Sequence, residues 1–422
     1  MNYKKTILEN GLRLITVPMK DNPTVTVLVL VEAGSKYETK EINGLSHFLE
    51  HMCFKGTTNR PKVADLSREL DSIGSHYNAF TSQEYTGYYA KADYRHLDKV
   101  LDVVSDLYLN PLFPEAEIEK EKGVIIEEIN MYEDLPQRKI WDIFGELLYG
   151  DQPAGWSVAG PKDNIKKMTR DDFVNYRNRF YVSQATTVVV AGNFDEGKTL
   201  ADIGRIFANI KNAPKGEKMK VREAQAKPEV MIFNKDTDQT HLVLGVRAYS
   251  LYDKKQRILD VLTGVLSGGM SSRLFQKLRD EMGVCYYVRA NNESLTDHGV
   301  LALSAGVDSK RVKEVITVLL AELNKLKTEL VGEEELNKVK QYLSGTMYLG
   351  LESSDSLAEF FGGQEIMNKE IKTADQVRLE TETVTAEEIR EVAKEIFVDK
   401  GLNLAIIGRF SDKADFETIL HF

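Results

Sequence analysis

His47, Glu50 and His51 stand together in the segment His47-Phe48-Leu49-Glu50-His51, within a stretch that reads as a helix beginning near Asn43. Asn is a favoured N-cap. Residues four apart share one face of a helix, so both imidazoles can reach a single cation. Glu50 lies beside that face, and Phe48, Leu49 and Met52 can be buried on the other. Zinc suits two imidazoles and a carboxylate with a fourth position open to water. A neighbouring carboxylate can take the proton of that water. The spacing predicts a hydrolytic metal site with Glu50 as base. Two surface histidines without a role are the plain alternative, and the glutamate on the same amphipathic helix weighs against it.

Such a site needs a third ligand. The segment from Glu121 to Glu133 is rich in glutamate, which usually marks a solvated helix face. Here Glu121, Val124, Ile125 and Glu128 recur at helical spacing, so two carboxylates share a stripe with apolar residues. Carboxylates on an apolar stripe need a partner, and a cation provides one. Glu127 points about 100° away from its neighbour Glu128, and Lys120 lies seven residues before it.

With these residues in place, the chain resembles the inverzincins, the pitrilysin/insulinase family of metallopeptidases, whose inverted zinc motif is matched by His47-x-x-Glu50-His51. The resemblance implies Zn2+ held by His47, His51 and Glu128, with Glu50 and Glu121 among the catalytic residues. It extends through Leu8-Glu9-Asn10-Gly11-Leu12, Gly44-Leu45-Ser46, Asn78-Ala79-Phe80-Thr81-Ser82, Thr240-His241-Leu242-Val243-Leu244-Gly245 and Leu266-Ser267-Gly268-Gly269-Met270-Ser271-Ser272-Arg273-Leu274. It also implies that Asn78, Ala79 and Phe80 form an edge strand that binds substrate through its main chain. Arg279 and Tyr286 would hold substrate and the tetrahedral intermediate. From the residues alone, Arg279 ends a helix, Gly283 is its C-cap and Tyr286 begins a core strand.

Long members of the family carry four similar halves, and this chain has length for two. It is similar to the short branch, which includes bacterial processing-type peptidases and the subunits of mitochondrial processing peptidase. There two chains close around a chamber, and the partner completes the site. The resemblance thus implies a zinc endopeptidase acting on unfolded peptides, as a homodimer or as a heterodimer with a paralogue. A noncatalytic, core-subunit-like homologue is the alternative. Such homologues typically lose part of the zinc set, whereas here the set is complete. The loop Leu266 to Ser272 is shorter and less glycine-rich than that of the noncatalytic mitochondrial subunit.

The elements that must position these residues follow an order that repeats. Strands are expected at about 12–19 and 24–31, helices at 43–54 and 63–73, strands at 76–81 and 84–92, helices at 94–109, 114–134, 138–149 and 169–180, and a strand at 185–192. The second half repeats this with strands at about 229–234 and 240–247, helices at 253–267 and 271–281, strands at 284–292 and 298–306, helices at 308–327, 333–349, 353–367 and 385–397, and a strand at 402–408. The expected fold is α+β, with two similar halves, each a mainly antiparallel sheet covered by helices. The expected domains are a zinc-binding half over 1–211, a Pro- and Gly-bearing linker over 212–228, and a metal-free half over 229–422 that carries Arg279 and Tyr286. The second-half counterpart of the zinc helix has no histidine, so one metal site is expected. His76, His96, His241, His298 and His421 lack ligand spacing.

Composition bounds the remaining classes. The chain has 422 residues, which exceeds one ordinary core. A net charge of -10 argues against a nucleic-acid partner. Cys53 and Cys285 are the two cysteines, too few for a disulfide framework. The N-terminal residues lack a signal-peptide core, and no apolar run approaches the roughly 20 residues that span a bilayer. The expectation is a cytoplasmic protein with no membrane partner.

Overall fold

The computed structural model describes residues 2–367 and 370–422. Among these residues, eleven strands run in chain order as β1 (Lys4–Ile7), β2 (Arg13–Pro18), β3 (Thr24–Val31), β4 (His76–Thr81), β5 (Thr86–Asp93), β6 (Thr186–Gly192), β7 (Glu229–Asn234), β8 (Thr240–Ala248), β9 (Cys285–Ser294), β10 (Gly299–Val307) and β11 (Asn403–Gly408). The helices used below are α1 (Leu45–Cys53), α2 (Val63–Asp71), α3 (Leu97–Leu109), α4 (Glu115–Asp134), α5 (Pro136–Tyr149), α6 (Lys162–Lys167), α7 (Arg170–Phe180), α8 (Glu196–Ile206), α9 (Gln256–Ser267), α10 (Val312–Thr328), α11 (Glu333–Gly350), α12 (Ser354–Ile366), α13 (Ala374–Thr383) and α14 (Ala386–Ile396).

The first sheet has the order β1-β2-β6-β3-β5-β4, and the second has the order β7-β11-β8-β10-β9. Removing β1 makes the two orders identical. In each, one parallel pair (β2 with β6, β7 with β11) interrupts an otherwise antiparallel sheet. The fold is therefore α+β with two similar halves. Beyond the expected elements, β1, α6, α8 and α13 are present. β1 and α6 are short and α13 is weakly patterned, which is where a periodicity reading loses its signal; α8 carries a clear amphipathic pattern that the reading missed.

The strand β3, Thr-Val-Thr-Val-Leu-Val-Leu-Val, is buried at every position after Thr24. Both faces of its sheet are therefore covered. Val25, Val27, Val29 and Val31 join a core with α1, α2, α3 and α7. The opposite face meets α12, where Gly362 approaches so closely that a Cβ would lie 2.8 Å from Leu30 and 2.9 Å from Val189. In the second sheet, Leu242, Leu244 and Val246 face α9, α10 and α14. Val243, Ala405 and Ile407 face Ile140, Ile143 and Phe144 of α5.

The compact units consequently depart from two unbroken halves. One unit runs to Ile129, resumes over Ser157–Met219 and takes in Tyr348–Ala374; the other comprises Asn130–Trp156, Lys220–Met347 and Asp375–Phe422. Each half lends one helix to the other half's sheet. The lent helices, α5 and α12, hold equivalent places in the repeat. An apolar second face on each sheet requires such a cover. No helix among the described residues is long and apolar enough to cross a membrane.

Candidate metal centre

Helix α1 begins after Gly44, whose φ of 100° is left-handed. A Cβ there would lie 2.6 Å from the Ala159 carbonyl, so glycine alone fits. Asn43 is thus not the expected N-cap. Its Nδ2 donates to Glu38 Oε2 at 2.9 Å and to the Ser157 carbonyl at 3.1 Å. The capping acceptor is Glu38, which receives the N–H of Gly44 at 2.9 Å and of Ser46 at 2.6 Å. Burial pushes the Glu38 carboxyl up to about 7, against the pull of these donors. Leu45, Phe48, Leu49, Met52 and Cys53 are buried, and the Phe48 ring meets Phe173 edge-on. That packing turns His47 and His51 together, with ring centroids 4.7 Å apart.

Helix α4 brings the carboxylates. Its buried stripe is Ile118, Glu121, Ile125 and Ile129. Val124, expected on that stripe, is 51% exposed. Glu128, four residues later, is 21% exposed. His47 Nε2 lies 3.6 Å and His51 Nε2 3.4 Å from Glu128 Oε2. One ligand atom from each of the three residues lies within 4.8 Å of the others. Zinc bonds of about 2.0–2.1 Å at tetrahedral angles separate ligand atoms by roughly 3.3–3.4 Å. The observed spacings fit that geometry, and the donor set of two imidazoles and a carboxylate fits the ion.

The surroundings also suit a cation. His51 Nδ1 contacts Glu121 Oε1 at 2.9 Å, and Lys55 Nζ holds Glu121 Oε2 at 2.6 Å. With the Nδ1 proton given to Glu121, Nε2 carries the lone pair a metal needs. Burial opposes charge on His51, but Glu121, Glu128 and Glu50 outweigh it and raise its pKa to about 9. The pocket therefore favours positive charge. Glu121, only 5% exposed, contacts His51 at Nδ1, on the far side of the ring from the Nε2 that meets Glu128. Glu127 is outside the cluster.

Glu50 sits beside the triad with Oε2 accepting from Thr81 Oγ1 at 2.5 Å. Burial raises its carboxyl above the usual glutamate value and Glu128 adds to this, while Thr81 and His51 pull it down. Asn78, Ala79 and Phe80 lie on β4, which pairs with β5 alone and is the sheet's edge. Phe80 packs over Gly87, where a Cβ would lie 2.3 Å from its ring. Thr81 closes the same strand, so the edge and the base are joined directly. Thr81 and Lys55 had drawn no role from the sequence. Lys55 is four residues after His51, which was the available signal. For Thr81 only the fold supplies one.

Arg279 and Tyr286 belong to the other unit, where they are neighbours. Arg279 lies in a π-helical segment, Phe275–Glu281, which ends at Met282 and is closed, as expected, by Gly283 in the left-handed conformation at φ 59°. Its guanidinium lies 4.7 Å from the Phe275 ring and 6.0 Å from the Tyr286 ring. Tyr286 is 75% exposed on β9, the edge of the second sheet, so it is no core residue.

Residues 13–162 match the insulinase (peptidase family M16) profile, and residues 167–343 match the peptidase M16 inactive domain. A Bacillus subtilis (strain 168) protein named as an uncharacterized zinc protease is 33% identical over 399 residues, covering 94% of this chain and 96% of its own. The crystal structure of a protease from Helicobacter pylori superposes with a TM-score of 0.89 at 25% identity, covering 96% of this chain and 99% of that one. A peptidase M16 inactive domain from Pseudomonas fluorescens shares the fold, with a TM-score of 0.89 at 14% identity over 97% of this chain and 99% of its own. The His47, His51 and Glu128 cluster falls inside the insulinase match, and relatives align along nearly the whole length: the chain belongs to the insulinase family, peptidase family M16.

Proposed function

We propose that this protein is a zinc endopeptidase that cleaves unfolded peptides, with a second subunit closing the chamber around them. The observation that carries the reading is the convergence of His47 Nε2, His51 Nε2 and Glu128 Oε2 beside Glu50. The inactive-domain match, residues 167–343, contains none of His47, Glu50, His51 and Glu128, so it does not count against catalysis.

His47, His51 and Glu128 would hold the ion. Bound there, zinc supplies Lewis-acid chemistry, polarising a peptide carbonyl and acidifying water. Glu50 would take the proton of the attacking water and return it to the leaving amine. Thr81 fixes one Glu50 oxygen and leaves the other for proton transfer. Its raised carboxyl pKa makes Glu50 a stronger base than an exposed glutamate. Glu121 and Lys55 keep the His51 ring in place. The β4 edge would align an extended peptide by main-chain hydrogen bonds, and Arg279 with Tyr286 would grip the substrate and the developing oxyanion.

The test is digestion of unstructured peptides, read by mass spectrometry. Cleavage should appear with zinc, vanish with chelator and return on adding zinc. Absence of cleavage by a zinc-loaded protein, or cleavage untouched by chelator, refutes the reading.

A further inference from the structure

The face of the second sheet that carries α5 contains a cavity of about 220 Å³ lined by Trp141, Asn291, Glu293, Val300 and Ala302. The strand register explains it. Glu293 pairs with Val300, which pairs with Arg247; Asn291 pairs with Ala302, which pairs with Gly245. Directly paired residues point to the same face. Two rows therefore run from the edge strand β9 across β10 to β8. Their middle side chains are short, and Gly245 has none. Phe144 of α5 fills the space over Gly245, where a Cβ would lie 2.8 Å from its ring. Trp141, one turn earlier and edge-on to Phe144, walls the hollow that remains toward β9.

The lining is chemically uneven. Its floor is apolar, one wall is an indole, and its rim carries a carboxylate and an amide. Glu293 reaches solvent at the edge. Packing around it raises its carboxyl above the ordinary value, opposed by His298. Arg247, in the same row, is turned away to the Leu148 carbonyl, Gln225 and Glu223. Among the described residues no lysine or arginine forms an ion pair with Glu293. An apolar stem ending in a cation fits this arrangement: the stem on Val300 and Ala302, the charge between the carboxylate and the ring face.

We propose that the hollow binds a lysine or arginine side chain of the peptide substrate, a contact separate from the metal ligands. The proposal rests on the peptidase reading, and its test does not need turnover. Zinc-loaded Glu50→Gln protein is titrated with a fluorescent unstructured peptide containing arginine or lysine, and with the same peptide carrying citrulline or norleucine instead. The charged peptide should bind roughly tenfold more tightly, a difference of about 1.4 kcal/mol. Adding Glu293→Gln should abolish that preference, and adding Glu293→Lys should turn it toward a peptide with glutamate at the same position. In the otherwise wild-type enzyme, Glu293→Gln should raise KM for the charged peptide with kcat unchanged. Equal binding of charged and neutral peptides, no binding of either, or a preference that survives Glu293→Gln overturns the proposal. Failure of wild-type cleavage alone refutes the peptidase reading and leaves the binding result standing.

Discussion

Glu50 can be separated from the proposed metal ligands because it contacts Thr81, while His47, His51 and Glu128 converge on one another. Glu50→Gln should keep zinc and fold but lose turnover by at least about a hundredfold, since the proton acceptor is gone. Cleavage of a standard peptide by metal-quantified protein decides it; near-normal rates would remove Glu50 from the mechanism. The α4 carboxylates allow a graded comparison. Glu121→Gln should weaken zinc binding roughly 10–100-fold, because it supports His51 from behind. Glu128→Gln should weaken it more, and Glu127→Gln hardly at all. Competition with a chromophoric chelator gives the order, and a larger effect at 127 than at 128 would contradict the ligand set. The pairing of residues 121 and 128 was legible because helical spacing is written in the chain. The contacts of Glu50 with Thr81 and of Glu121 with Lys55 were not. The first depends on an edge strand meeting a helix, and the second on the turn after α1 reaching α4.

At the scale of elements, helix α1 depends on an acceptor that precedes it. The sequence suggested Asn43 because Asn is a common cap; the structure uses the buried Glu38 carboxylate, seven residues before Leu45. Local propensity cannot reveal such a cap, since the loop must fold back first. Burial lifts the folded-state carboxyl to about 7, above its unfolded value near 4.3. Between these values the folded protein holds a proton that the unfolded chain has released. Stability from this group is therefore full below the unfolded value and is lost as pH rises through about 7, at up to about 1.4 kcal/mol per pH unit. Glu38→Gln keeps an acceptor but cannot ionise. Its stability relative to wild type should rise from pH 5 to pH 7.5 in denaturant titrations, and a flat difference would contradict the raised carboxyl. The order of elements was readable because each long strand and helix carries its period. The lending of α5 and α12 was not, because it is a choice of partner between equivalent apolar faces.

For the whole molecule, the chain places His47, His51, Glu128 and Glu50 in one unit and Arg279 with Tyr286 in the other. The repeat was visible in the sequence; the subunit that completes a site is not written in either half. In the family's short branch two chains supply the four halves that long members carry in one. We propose the same here, with the zinc of one copy served by Arg279 and Tyr286 of the other in a C2 homodimer. Mixing two defective proteins separates this from a self-contained chain. Glu50→Gln lacks the base, and Tyr286→Phe lacks the oxyanion donor, so each homodimer should be nearly inactive. In a mixed dimer one site collects both defects. The other joins the Glu50 of the Tyr286→Phe chain to the Tyr286 of the Glu50→Gln chain and is intact. Random exchange makes about half the dimers mixed, each with about half of wild-type activity, so the mixture should recover roughly a quarter. Exchange is followed independently by energy transfer between labelled chains. If labels exchange and no activity returns, each chain serves its own zinc and the shared-site arrangement is wrong.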